Sequence, residues 1–273
     1  MFNSEVIKIA ESKFNLNLSE IIIEEVQIGV FLTAVKLSIG GLGLALSDVN
    51  NQPYLYRDER RFDAFSPGQV KGRNLNELFL NRSNSGVLAS LRISAINALS
   101  EFMISRSNFR ISRRTDPLDL IALSKDKIFT VVGAFSSYIR KIQAASCKLN
   151  ILELDKNAIR PESRQYFVHA YKSPEVLAAS DVVIITGSTL VNNTLEKLLQ
   201  KINRNTTVVV TGPSAGIYPE ILFRRNVNLI GSTRINDEKQ VMQVVREGGT
   251  GFHLFKYGAE KITYINEDYE TIT

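Results

Sequence analysis

Several residue types are scarce in this chain, and each shortage narrows the field. One cysteine, Cys147, in 273 residues excludes an internal disulfide and a clustered-cysteine zinc site. That suits a reducing compartment, and the cytoplasm is the expected location. The two histidines, His169 and His253, stand far apart without H-E-x-x-H spacing, which leaves little material for a metal centre or a Ser-His-acid triad. The most apolar stretches, such as VFLTAVKLSIGGLGLAL, are broken by Lys36 and by glycines, short of the roughly 20 apolar residues of a membrane helix. No membrane span is expected. The N-terminal MFNSEVIKIAESKF carries Glu5, Lys8, Glu11 and Lys13, and reads as an amphipathic helix and not a signal peptide. G-x-S-x-G, Walker A and kinase signatures are missing, as are repeats and low-complexity tracts.

What is present is an ordinary globular composition, 44% hydrophobic, with a net charge of +5 from 33 basic and 28 acidic residues. The excess favours an anionic ligand but is too small to assign nucleic acid, and no nucleic-acid partner is expected. Arg106, Arg110, Arg113 and Arg114 crowd the segment SRSNFRISRRTD, which reads as a solvated linker in preference to a phosphate-binding arm. Phe109 stands alone there, without the aromatic platforms of single-strand binders.

Two rhythms follow each other along the chain. From Ile21 to Ser47, short β-branched runs punctuated by glycine predict a meander of about three strands, followed by a loop from Asn50 to Arg73. Helices are predicted at NLNELFLN and GVLASLRISAINALSEFMIS, the latter with Leu88, Leu91, Ala95, Leu99 and Met103 on its core face. Its other face carries Ser90, Ser94, Asn97 and Glu101. Such a stripe ordinarily faces water; the alternative is an interdomain cleft, because Ser and Asn solubilise weakly. After Pro117, strands at KIFTVVGAF, LNILELD, DVVIITG, NTTVVVTG and NLIGST alternate with helical segments, the order of a doubly wound parallel sheet. Runs such as VVIIT suit strands covered on both faces. Cys147 is expected to be a buried structural residue on the first crossover helix.

Ligands in such sheets bind beyond the carboxyl ends of the strands. Four predicted strands end in glycine with small neighbours: Gly133-Ala134, Gly187-Ser188-Thr189, Gly212-Pro213-Ser214 and Gly231-Ser232-Thr233. Small residues admit a ligand to the backbone, and a Cβ at Gly187 is expected to obstruct that approach. Glu153, closing the second strand, falls where dinucleotide folds place a ribose-binding carboxylate. The first turn, however, reads GAFSSY and not G-x-G-x-x-G, so NAD ranks below a nucleoside ligand without pyrophosphate, such as S-adenosylmethionine. The bland reading of Glu153 is a solvated acid.

At DVVIITGSTLVNNTLEKLL, VVVTGPSAGIYPEILF and NLIGSTRINDEKQVMQVVREGG the chain strongly resembles the family named putative heavy-metal-chelation proteins, and more weakly at SGVLASLRISAINAL. The resemblance implies an α/β protein with an enolase-N-terminal-like α+β domain (residues 1–106), a linker (107–116), a Rossmann-like domain (117–273) and a pocket between the domains. It points to Thr186, Gly187, Thr189, Asn192 and Thr194 after the third strand, to Gly212, Pro213 and Ser214 after the fourth, and to Asn97. Asn193 departs from the pattern, since similar proteins often place glycine there.

No soft-ligand cluster in the sequence would hold a heavy metal directly, so a metal would arrive inside an organic chelate or on oxygen ligands such as Glu153. The expected function is recognition or processing of a small polar or anionic molecule, a metal chelate or metallophore precursor included, in an interdomain cleft. The alternatives are an enzyme using an adenosyl or nucleotide cofactor and a non-catalytic partner protein. A homo-oligomer is compatible with the sequence and not required by it.

Overall fold

The computed structural model describes residues 2–49, 65–83 and 85–271, so most of the loop predicted after Asn50 lies outside the described residues. Helix α1 (Phe2–Phe14) buries Phe2, Val6 and Ala10, one face at four-residue spacing. The predicted meander is strands β1 (Ile23–Ile28), β2 (Leu32–Leu37) and β3 (Leu42–Leu46), paired antiparallel in that order. Helix α2 (Leu75–Leu80) starts at Asn74, whose side chain accepts from the Glu77 N–H and donates to the Glu77 carboxylate. Helix α3 (Gly86–Ile104) lies across β2 and β3. Contact is close enough that a Cβ at Gly43 would stand 2.0 Å from the Ser94 carbonyl oxygen. By length and composition α3 could cross a membrane, but 67% of its apolar window is buried, as in the core helix of a globular protein.

The second half is an eight-stranded sheet. In chain order it comprises β4 (Ile111–Arg113), β5 (Ile128–Val132), α4 (Ser136–Ala144), β6 (Lys148–Glu153), β7 (Phe167–His169), α5 (Ser173–Ala178), β8 (Val182–Thr186), α6 (Ser188–Val191) and α7 (Leu195–Leu199). Then follow β9 (Thr207–Thr211), α8 (Pro219–Phe223), β10 (Leu229–Ile235), α9 (Glu238–Arg246), α10 (Gly251–Tyr257) and β11 (Ala259–Ile265). The spatial order is β4-β11-β10-β9-β8-β5-β6-β7, with the strands from β10 to β7 parallel and β11 and β4 antiparallel at one edge. Counted from β5, the parallel strands have the 3-2-1-4-5-6 order of dinucleotide-binding sheets, with the order reversing between β5 and β8. Strand β8 shows why its apolar run is continuous: Val183 and Ile185 join the core shared with α1 and α3, whereas Val182 and Ile184 join the core on the opposite face.

Three details differ from the sequence reading. Within the segment expected to be a linker, Ile111–Arg113 forms the edge strand β4, because β11 offers it a free backbone edge. Gly231 lies inside β10 and ends no strand, since pairing with β11 continues to Ile235; a Cβ there would meet the Thr211 hydroxyl at 2.2 Å. Cys147 is buried but follows α4 instead of lying on it, the turn being made by Ser146 at φ 58°.

Most of the polar stripe of α3 faces neither solvent nor an open cleft, with Glu101 half-buried at its end. Ser90, Ser94, Asn97 and Ser100 are buried and bond to backbone of the small sheet and of the second half. Glu101 Oε2 accepts from the Leu42 N–H at 2.7 Å. Elsewhere along the seam, Arg225 of the second half pairs with Glu5 of α1 and with Glu196, and Lys36 pairs with Glu238.

Burial holds the Glu101 carboxyl above its ordinary value of 4.5, with Glu238 adding to the rise and the Leu42 N–H and Arg234 opposing it. A raised acid favours folding while protonated, so its contribution is full below 4.5 and is lost as pH rises through the folded value. Glu101→Gln keeps an acceptor for Leu42. Urea titrations from pH 4 upward are therefore expected to show the wild type losing stability relative to this variant until the folded value is passed; a constant difference would contradict the account.

Candidate functional site

Each parallel strand delivers its last residue to one rim of the sheet. Strand β5 is followed at once by Gly133, whose φ of +104° turns the chain away from the sheet in a conformation that L side chains rarely adopt. A Cβ there would come within 3.0 Å of the Thr186 methyl, so glycine also keeps the space beside β8 open. Strand β6 ends at half-buried Glu153, whose carboxylate accepts from the next N–H, that of Leu154, at 2.7 Å. Strand β8 ends at Thr186, whose hydroxyl lies 3.0 Å from that of Ser188 and whose carbonyl accepts from the Thr189 hydroxyl at 2.6 Å.

Together these strand ends enclose a cavity of about 360 Å³ where the strand order reverses. Gly133, Glu153, Thr186, Ser188 and Thr189 line it, and Asn192 and Thr194 stand exposed at its mouth. Asn192 Oδ1 accepts from the Thr194 hydroxyl at 2.6 Å and its N–H at 3.2 Å, fixing both side chains. Val132, Leu152 and Leu198 supply an apolar floor, with the 75% exposed Leu154 at the edge; sequence reasoning did not single these out, nor Phe135 or Ser173. Hydroxyls, one amide and one carboxylate above apolar groups suit a small molecule with a polar edge and an apolar face.

The remaining predicted residues lie elsewhere. Gly187 is buried behind the cavity, its N–H bonded to the Thr211 carbonyl at 2.8 Å. A Cβ at Gly187 would meet the Ala215 nitrogen at 2.8 Å, so packing against the turn after β9 by itself requires glycine here. Gly212 and Pro213 line a second cavity, of about 570 Å³, beyond Phe135. Ser214 and Asn97 belong to the seam: the Ser214 hydroxyl accepts from Leu46 N–H at 2.8 Å, and the Asn97 amide donates to Leu44 and Ser214 carbonyls at 2.7 and 3.0 Å. The seam itself holds a pocket of about 40 Å³, whereas the two larger cavities are lined by residues of the second half alone. Among the described residues, packing thus leaves only a small pocket where one was expected between the domains. Asn193 adopts φ 57°, which explains why glycine suits that position and asparagine is tolerated.

No group of three or more His, Cys, Asp or Glu side chains able to hold a metal occurs among the described residues. His253 caps α10 through Thr250, His169 is exposed at the end of β7, and burial pushes the Cys147 thiol up. In the second cavity burial, helped by the Asp116 carboxylate, raises the Tyr138 phenol far above its ordinary value, so it stays protonated.

Residues 116–264 match a family model described as putative heavy-metal chelation (DUF364), and residues 12–100 match a second model of the same description. An uncharacterized protein of Methanocaldococcus jannaschii is 25% identical over 209 residues, covering 72% of this chain and 75% of that one. Two crystal structures of DUF364-family proteins share the fold. The one from Pyrococcus horikoshii has a TM-score of 0.75 at 18% identity, covering 97% of this chain and 98% of its own. That from Desulfitobacterium hafniense has a TM-score of 0.67 at 20% identity, covering 97% and 100%.

The Gly187 geometry yields a direct test. Gly187→Val is expected to destabilise the fold by about 1–3 kcal/mol, the range for overpacking, in chemical denaturation without any ligand. Stability equal to wild type with impaired ligand binding would return Gly187 to the ligand wall.

Proposed function

The chain belongs to the putative heavy-metal-chelation family, and from that premise we propose that it recognises or processes a small polar molecule in the 360 Å³ cavity. The ligand class is an organic metal chelate or its precursor. One observation carries this reading: Gly133, Glu153, Thr186 and Ser188, from three separate strand ends, converge on one cavity at the reversal of strand order. The donor set argues for a chelate in preference to a bare ion. Glu153 is the carboxylate that lines the cavity, and a heavy metal held by protein alone would need several softer ligands beside it.

A second reading, an adenosyl or nucleoside ligand, is favoured by one feature. Glu153 at the end of the second parallel strand and Gly133 at the end of the first line the same space, the relation a ribose hydroxyl pair requires.

Thermal-shift measurements with metal chelates, tetrapyrroles, S-adenosylmethionine and adenosine separate the two readings, since a ligand selective for the native state raises its stability. A chelate is expected to shift the transition and to lose that effect in Asn192→Trp, which fills the mouth from an exposed position. Should adenosine be the binder, Glu153→Gln is expected to weaken it by about 1.5–3 kcal/mol. Shifts of wild-type size in both variants would remove the cavity from consideration.

A further inference from the structure

The crevice along the carboxyl rim of the sheet is interrupted. In a dinucleotide-binding turn the second glycine of G-x-G lets the pyrophosphate cross from one half of the sheet to the other. Here that position, two residues after Gly133, is Phe135. Its ring stacks on Tyr138 with centroids 5.4 Å apart and planes at 25°, and it lines both cavities. What is one crossing elsewhere is a partition in this chain.

The compartment beyond Phe135 is the larger, about 570 Å³, within the ordinary range for small-molecule sites. Four aromatic rings, Phe135, Tyr138, Phe252 and Phe255, stand around it. Phe252 is 73% exposed although it is a large apolar side chain on a helix, a placement that internal packing does not account for. Two cations, Lys256 and Lys261, face one carboxylate, Asp116, in the lining. Lys261 is bound to Asp116 at 2.8 Å, which leaves Lys256 without an ion pair among the described residues. The Thr233 hydroxyl oxygen, in a wall shared with the small seam pocket, is buried with no hydrogen-bond partner among the described residues. Buried polar atoms are ordinarily satisfied, and this one is closed to a water-sized probe, so it is an irregularity of the wall and not itself a ligand contact.

We propose that the compartment between Phe135 and α10 is a second binding site, independent of the first cavity, for a planar aromatic molecule carrying one negative charge. The rings supply stacking surfaces, and Lys256 supplies the unmatched positive charge. Asp116, already holding Lys261, discriminates against a second anionic group near that end of the site.

The probe is 1-anilinonaphthalene-8-sulfonate, an aromatic monoanion, titrated by fluorescence into the folded full-length protein. Wild type is expected to show one saturable site. Phe252→Ala and Lys256→Glu, both at exposed positions, are each expected to weaken it at least tenfold while the melting temperature stays unchanged. Lys256→Arg should restore binding to within about threefold. Asn192→Trp, which closes the first cavity, should leave the probe's affinity untouched, so the proposal survives or fails separately from the reading of that cavity. It is overturned if wild type shows no saturable binding, if both α10 variants bind as wild type does, or if Asn192→Trp abolishes binding.

Discussion

The side-chain amide of Asn97 spans the two halves of the molecule, donating from α3 to the Leu44 carbonyl on β3 and to the Ser214 carbonyl in the turn after β9. Ser214 returns the contact by accepting from the Leu46 N–H, and Ser100 accepts from the N–H of Tyr218, four residues further along the second half. These bonds fix the Pro213–Ala215 turn from behind, and that turn is the wall on which the rim of the sheet depends. Gly187 presses against Ala215, which sets where β8 hands over to Ser188 and the first cavity. Gly212 and Pro213 face forward into the second. The first half therefore shapes the cavities without lining them. Short polar side chains suit the centre of this seam because each meets a backbone group at hydrogen-bond distance; the charged pairs Arg225–Glu5 and Lys36–Glu238 stand where the seam is part-exposed, and pairing and solvent offset their desolvation.

The division of the crevice follows from the same rim. A parallel sheet with reversed strand order offers two half-sites on either side of the reversal, and a dinucleotide fills both because its connecting phosphates pass over glycine. Phe135 puts a ring in that passage, held in place by its stacking on buried Tyr138. The absence of a pyrophosphate fingerprint in the sequence and the presence of two separate cavities are one fact seen at two levels.

Much of this could be read from residues alone, and the failures have physical causes. The meander, the long helix and the five central parallel strands were legible because period-two and period-three-to-four patterns survive in VVIIT, TTVVVT and the Leu88 to Met103 stripe. Strands β4 and β7 were not, since three residues carry no period and their existence depends on a neighbour's free edge. The period-two alternation of KITYI in β11 is legible in the sequence, although no strand is assigned there from it. Of the residues that line the first cavity, Gly133, Glu153 and Ser188 are legible from their strand-end positions, and Thr186 from the family resemblance. Sequence could not say that Gly187 looks backward, or that Gly212 and Pro213 serve another cavity, because a strand end fixes height above the sheet but not which side of Phe135 a residue faces. The α3 stripe was misjudged for a related reason: amphipathic spacing reports two faces, not what covers the polar one.

The family's association with heavy metals can be weighed against where the donors stand. Cys147 precedes β6 and Glu153 closes it, so the soft donor and the cavity's carboxylate occupy opposite ends of a six-residue strand, about 20 Å apart at roughly 3.3 Å per residue. Burial raises the Cys147 thiol and keeps it protonated, which removes it further from metal binding. A metal reaching the cavity would thus find one carboxylate, several hydroxyls and an apolar floor. Such a lining is better suited, in its donor chemistry, to hydroxyl and apolar contacts with an organic molecule than to competing for a bare heavy-metal ion. On this geometry the described side chains around the cavity lack the several soft ligands that direct chelation of a heavy metal by the protein would need.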